Sequence, residues 1–149
     1  MTRPRIAIAS DHAGVRLKEA LGRHLAAKGY PVEDLGTDSG APVDYPLVIR
    51  PAAEAVAEGR CDLGIVLGGS GNGEAIVANK VRSIRCAVCW SVESAALAKA
   101  HNDANVIALG ARMVSEEAAT AIVDAWLEAE FEGGRHRRRI EQIAEQERR

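Results

Sequence analysis

The 149-residue chain has no apolar run approaching the about 18 residues that a membrane-spanning helix needs. Its opening, MTRPRIAIASDHAG, lacks the long apolar core of a secretion signal. Together these absences lead us to expect a cytoplasmic protein with no membrane partner. A positive excess is missing too. Net charge is −2, so the chain lacks the overall basic footprint of a nucleic-acid binder, and no nucleic-acid partner is expected. Cysteines are few and odd in number, three in all, which argues against a disulfide framework. Cys86 and Cys89 do form a C-x-x-C, but within IRCAVCW, which reads as a strand. Strand residues three apart point to opposite faces, so these two cannot easily share a metal or a bridge. A redox pair would instead open a helix. We read them as ordinary buried cysteines. Hydrophobic residues at 47% and charged residues at 27% then describe one globular domain with one core.

Strand and helix patterns alternate throughout. Strands are expected at Arg5–Ser10, Pro31–Leu35 (short and weak), Leu63–Leu67, Ile84–Cys89 and Asn105–Leu109. A helix over Gly14–Lys28 carries Leu17, Leu21 and Leu25 on one stripe and ends at Gly29. After a loop over Gly36–Pro46, a second helix runs from about Leu47 to Glu58, and a third begins at Glu74. Ser91 reads as the N-cap of a fourth, and Ser115 opens a fifth in which Ala119, Ile122, Val123 and Trp126 recur at helical spacing. The pattern predicts an α/β fold: a single doubly wound, five-stranded parallel sheet, order 2-1-3-4-5, with helices on both faces. Such sheets bind ligands where the order reverses, here at the carboxyl ends of strands one and three. After Phe131, Gly133-Gly134 breaks the chain, and RHRRRIEQIAEQERR reads as an extra C-terminal helix. It has a modest stripe of Ile140, Ile143 and Ala144, and we expect residues 132–149 to reach a partner subunit.

The loop at that crevice is the most informative stretch. An apolar strand ends in Gly68-Gly69-Ser70-Gly71-Asn72-Gly73 and is followed at once by Glu74. Strand, glycine loop and helix together present several N–H donors to one anion. The loop fits neither dinucleotide fingerprint nor phosphate loop nor nucleophile elbow, because Glu74 and Asn72 occupy required glycine positions and no Gly-Lys-Ser/Thr follows. Nor is there a strand-end aspartate of a phospho-receiver. A carboxylate is out of place beside a phosphate cradle, but it suits a site that forms an enediolate. Glu74 would take a proton from carbon while loop N–H groups hold the oxyanion. Alternatively it is a helix-start residue favoured by the dipole. Burial would raise its pKa, and donors with the helix dipole would lower it. Asp11, at the end of strand one, can cap the next helix, and His12 can donate to a phosphate or hydroxyl. His101, at the end of helix four, can be a dipole partner. Arg135 and Arg139, four apart on one helix face, can clamp a phosphate or form a solvated basic tail.

Five pieces in order span nearly the whole chain: IASDHAG, DYP at Asp44–Pro46, GGSGNGE-x-I-x-ANK at Gly68–Lys80, AKAHNDANV-x-A-x-G-x-R at Ala98–Arg112, and GGRHRRRI at Gly133–Ile140. Together they resemble the type B ribose-5-phosphate isomerase family, which also includes galactose-6-phosphate isomerase subunits. The resemblance implies a doubly wound fold, a homodimer or dimer of dimers, no metal and no cofactor. Many members of that family carry a cysteine base where this chain has Gly68. This chain resembles the subgroup whose base is the glutamate at position 74. By the same resemblance His101 assists ring opening, and Ser70 adds a hydroxyl to the N–H groups of Gly69, Gly71, Asn72 and Gly73. Asp11, Tyr45 and Asn102 orient sugar hydroxyls, while His12, Arg112, Arg135 and Arg139 bind phosphate.

The expected activity is aldose–ketose isomerisation of a small sugar phosphate, ribose 5-phosphate to ribulose 5-phosphate. A four-carbon ketose phosphate or a hexose 6-phosphate is the alternative substrate, and a non-catalytic sugar-phosphate or nucleotide binder the alternative class. Geometry adds one expectation. His101-Asn102 precedes strand five, whereas the glycine loop follows strand three, so about 17 Å of strand separates them. Active sites are therefore expected to be shared between subunits.

Overall fold

Along β1 (Ile6–Ser10) side chains alternate in size as well as direction. Ile6 and Ile8 join one core with Leu17, Leu21, Ile107, Leu109 and Trp126, while Ala7 and Ala9 join another with Ala52, Ala53, Ala75, Ala78 and Ala108. The computed structural model describes residues 2–149. The further strands are β2 (Val32–Asp34), β3 (Leu63–Gly68), β4 (Cys86–Val88) and β5 (Val106–Gly110). The helices are α1 (Val15–Ala27), α2 (Tyr45–Ala57), α3 (Asn72–Asn79), α4 (Val92–Asn102), α5 (Glu116–Glu128) and α6 (Arg135–Glu147). Helices α1, α4 and α5 cover the face of large aliphatics, and α2 and α3 the alanine-rich face, where the small side chains allow close approach. Among the described residues, no helix is long and apolar enough to cross a membrane.

All strand pairings are parallel, and the order is β2-β1-β3-β5-β4. The α/β class and the helices on both faces match the sequence reading, but the last two strands are exchanged relative to the expected 2-1-3-4-5. Burial explains the exchange. Every residue of β5 is buried, so it takes the central place beside β3, whereas β4 is three residues long and half-buried, and so forms the edge. There Asn79 stands in for a neighbouring strand. Its Nδ2 donates to the Cys86 carbonyl at 2.9 Å, and its Oδ1 accepts from the Cys86 N–H at 2.8 Å.

Boundaries follow the expected caps in most places. Ser91 accepts from the Ser94 N–H in a capping box, and Ser115 accepts from the Ala118 N–H. Two helices begin earlier than their sequences suggest. Tyr45 is already the first residue of α2, and α3 starts at Asn72 after Gly71, whose φ of +87° belongs to the left-handed region that glycine adopts without strain. The loop leading to Tyr45 is tied by a buried cation: Lys18 donates to the Asp34 carboxylate at 2.8 Å and the Thr37 carbonyl at 2.6 Å.

The alanine face sets a stability prediction. Ala53 is fully buried between α2 and the sheet. Ala53→Leu should cost about 1–3 kcal/mol by overpacking, read as a lower urea midpoint at unchanged slope. An unchanged midpoint would show that this face has room to spare.

Candidate active site

The exchange of β4 and β5 decides what meets at the carboxyl ends of the strands. With β5 beside β3, the turn after β5 runs along the glycine loop. The Ala111 N–H donates to the Gly68 carbonyl at 2.7 Å, and the Arg112 N–H to the Gly69 carbonyl at 3.0 Å. The Arg112 guanidinium lies over Gly69. Tyr45, Gly69, Ser70, Gly73, Glu74, Arg112 and Met113 together line an open hollow of roughly 420 Å³. Asp11 and Tyr45 line the adjoining depression.

Glu74 sits at the floor of this hollow and is only 4% exposed. The space for its carboxyl group comes from Gly68, because a Cβ at residue 68 would fall directly on the carboxyl carbon and both oxygens. Gly73 is constrained in the same way, since a Cβ there would come within 2.6 Å of the Tyr45 ring. Burial pushes the Glu74 carboxyl above its ordinary 4.5, and the neighbouring Asp11 carboxylate adds to the rise; the N–H groups of Glu74 and Gly71 partly oppose it. The direction that sequence left open is therefore upward.

The loop donors divide into two sets. The Gly71 and Glu74 N–H groups favour the charged form of the Glu74 carboxyl, and the Asn72 N–H donates to Ser70 Oγ at 3.2 Å. Among the described residues, the N–H groups of Gly69, Ser70 and Gly73 have no acceptor in the chain. Those three are available to a ligand. On the opposite rim, Asp11 accepts from the Ala13 N–H at 2.9 Å and so caps the short turn after β1. His12 Nδ1 accepts from the Val43 N–H at 3.2 Å, which leaves Nε2 as the protonated donor of a neutral ring.

His101, Asn102, Arg135 and Arg139 lie elsewhere. Helix α4 ends at Asn102 and feeds the start of β5, where Val106 registers with Gly64 at the opposite end of β3 from Gly68. Arg85 fixes this helix end, donating to the carbonyls of Asn102 and Asp103 at 2.8 Å each. The His101 ring stacks on that of His136, with centroids 4.3 Å apart and planes inclined by 10°. Glu132 lies beside both, its Oε2 3.8 Å from His101 Nε2 and its Oε1 3.4 Å from His136 Nε2. Arg135 and Arg139 project from α6 into solvent. Sequence reasoning assigned His136 no role and missed this packing. The available signal was angular, because residue 136 is turned about 80° from the centre of the face shared by 135 and 139. Burial holds His136 below its ordinary 6.5, and Arg135 and His101 add to the effect.

His101, Glu132 and His136 are, among the described residues, the one cluster with metal-type donors within 4.8 Å of one another. The stacked rings argue against a shared ion. A metal binds in the plane of each imidazole at about 2.0–2.1 Å, and parallel planes present their lone pairs side by side. The cysteines are equally unsuited to chemistry. Cys86 and Cys89 face opposite cores, and burial pushes the Cys61 thiol up to about 11, that of Cys89 to about 12, and that of Cys86 upward as well.

Comparison with known proteins adds the context of relatives. A family model described as Ribose/Galactose Isomerase matches residues 6–143. Ribose-5-phosphate isomerase B of Escherichia coli (strain K12) is 48% identical over 139 residues, covering 93% of each chain. The solved ribose-5-phosphate isomerase B of Clostridium thermocellum superposes with a TM-score of 0.95 at 49% identity, covering 97% of each chain. That of Mycoplasma genitalium, solved with bound ribulose-5-phosphate, gives 0.95 at 41% identity over 99% of each chain.

The raised pKa of Glu74 makes a prediction about stability. The buried carboxyl favours its protonated form in the folded state, so the penalty for ionisation is present above the raised value and disappears below 4.5. Glu74→Gln should therefore melt at a higher temperature than wild type near neutral pH, and the gap should close as pH falls through the ordinary carboxylate range. A gap that widens on acidification would mean that the carboxylate is stabilised instead.

Proposed function

The chain belongs to the ribose/galactose isomerase family, and from that premise we propose that it interconverts ribose 5-phosphate and ribulose 5-phosphate. One observation carries the assignment of the base: the Glu74 carboxyl group occupies the space that a side chain at residue 68 would fill, beside three main-chain donors with no other acceptor.

In the proposed reaction, His101 donates a proton to the ring oxygen as the C1–O ring bond breaks, and the anomeric hydroxyl gives up its proton, which returns to His101, as C1 becomes the carbonyl. Glu74 then removes the C2 proton. The electron pair moves toward C1 and leaves a cis-enediolate, whose charge falls to the N–H groups of Gly69, Ser70 and Gly73 and to Ser70 Oγ. One such donor is typically worth about 3 kcal/mol of barrier. Glu74 returns the proton to C1, and the O2 proton passes to O1 as C2 becomes the carbonyl, which gives the ketose. A carboxyl held above its ordinary pKa is a stronger base when ionised, which suits abstraction from carbon. Asp11 and Tyr45 orient hydroxyls from this subunit, and Asn102 from the other. His12 Nε2 and Arg112 meet the phosphate from the crevice side, and Arg135 and Arg139 meet it from the partner.

The division between subunits is part of the proposal. His101 and Asn102 lie a strand's length from Glu74 in one chain. Exposed apolar side chains lie beside each half: Leu47 and Met113 near the crevice, and Trp90, Leu97 and Ile143 near Asn102. A two-fold pairing of the chain with a second copy would cover both sets and complete two sites, with α6 supplying the arginines across the interface.

Two experiments test this reading. In D2O with ribose 5-phosphate, wild type should form ketose carrying solvent deuterium, and Glu74→Gln should lose both activities by about 10²–10⁴-fold. A binding module would show neither with wild type. Mixing inactive Glu74→Gln and His101→Ala subunits should restore about a quarter of wild-type activity, because a two-fold mixed dimer contains one intact shared site. No recovery after subunit exchange would place each site within one chain.

A further inference from the structure

The His101 ring is the least supported of the proposed reacting groups. Its side chain is 37% exposed, and its closest carboxylate oxygen, on Glu132, lies at 3.8 Å, beyond hydrogen-bond distance. The main chain beneath it is well held. The Glu132 N–H donates to the Ala100 carbonyl at 3.0 Å, which fastens the linker after α5 to the end of α4, and Arg85 holds the last carbonyls. What contacts the ring face is His136, nearly parallel at 4.3 Å and itself only 7% exposed.

The surroundings of His136 add to this. It is the only buried residue of α6, a helix otherwise exposed or half-buried over its whole length. Its Nε2 is buried yet makes no hydrogen bond among the described residues, although Glu132 Oε1 is 3.4 Å away. A buried polar atom without a bond is costly, and a side chain chosen only to anchor α6 would have no need of it. The Glu132 carboxylate turns one oxygen toward each ring, so the two imidazoles and the carboxylate form a unit in which moving one member disturbs the others.

We propose that His136 is a positioning residue for His101, its ring face fixing the imidazole in the orientation that sugar ring opening requires. The inference rests on the isomerase reading above and deepens it, because it concerns one step of that reaction. Ribose 5-phosphate enters as a closed ring and needs His101. Ribulose 5-phosphate is open-chain, because its only hydroxyl able to close a five-membered ring on C2 carries the phosphate. Exchange of its C1 hydrogen with solvent needs Glu74 and the loop donors, but not ring opening.

The test uses the full-length protein and two substrates. Conversion of ribose 5-phosphate is followed from the aldose side, and entry of solvent deuterium at C1 of ribulose 5-phosphate is followed by NMR. For His136→Ala we expect the aldose conversion to fall at least about tenfold, toward the hundredfold cost of a misplaced reacting group, with ketose exchange within about twofold of wild type. His136→Phe, which keeps a flat ring against His101, should restore most of the aldose conversion. Retained ketose exchange reports a folded, assembled site, so loss of the fold cannot pass for the predicted effect. The inference is overturned if His136→Ala converts the aldose normally, if it loses both activities in proportion, or if His136→Phe behaves like His136→Ala, which would assign the effect to the ring nitrogens. A wild type that neither converts nor exchanges would overturn the isomerase reading, and this one with it.

Discussion

A carboxyl group in the space left by a missing side chain is the constraint around which the rest of the site is arranged. Glu74 can turn back over the end of β3 only because residue 68 has no Cβ. Once there, it is shielded from water and close to Asp11, while the N–H groups of Gly71 and its own residue favour its charged form. Burial and the neighbouring charge outweigh those donors and leave a carboxyl that ionises reluctantly. The same turn requires Gly71 at positive φ and Gly73 flat against Tyr45. The glycines of this loop are thus not interchangeable sources of flexibility. One makes room for the Glu74 carboxyl, one sets the turn, and one admits the aromatic ring over it.

The sheet order governs what faces that carboxyl. Placing β5 next to β3 brings Arg112 over Gly69 and into the hollow of the same chain. It also fixes His101 and Asn102 at the opposite end of the strands, since α4 must return there to begin β5. In one chain the two groups of proposed site residues therefore lie at opposite ends of the strands, with exposed apolar side chains near each. In the proposed assembly a second copy brings the two groups together.

Much of this was legible in the residues. Alternating strands and helices gave the class, Leu17, Leu21 and Leu25 and the Ala119–Trp126 stripe lie buried, and Ser91 and Ser115 cap their helices. Local pattern determines such features, so local pattern reveals them. The exchange of β4 and β5 was not legible, because strand order depends on pairings between distant segments and on relative burial. A six-residue run around Cys86 looked like a full strand, yet only three residues pair. The glycine loop and Glu74 stood out by composition, but the division of its donors did not, since the Ser70 and Glu74 side chains claim N–H groups only in three dimensions. His136 was overlooked because a run of arginines draws attention to charge, whereas its role in packing depends on the one helix face that the run does not use.

The most direct test of the central claim is to fill the space at residue 68. With ribose 5-phosphate deuterated at C2, Gly68→Ala should turn over at least about 10²-fold more slowly than wild type, with KM little changed and a large primary isotope effect, because the added methyl evicts the base while the phosphate and hydroxyl contacts remain. Turnover at the wild-type rate would contradict the account, since it would mean that the proton leaves C2 without a carboxylate in that space.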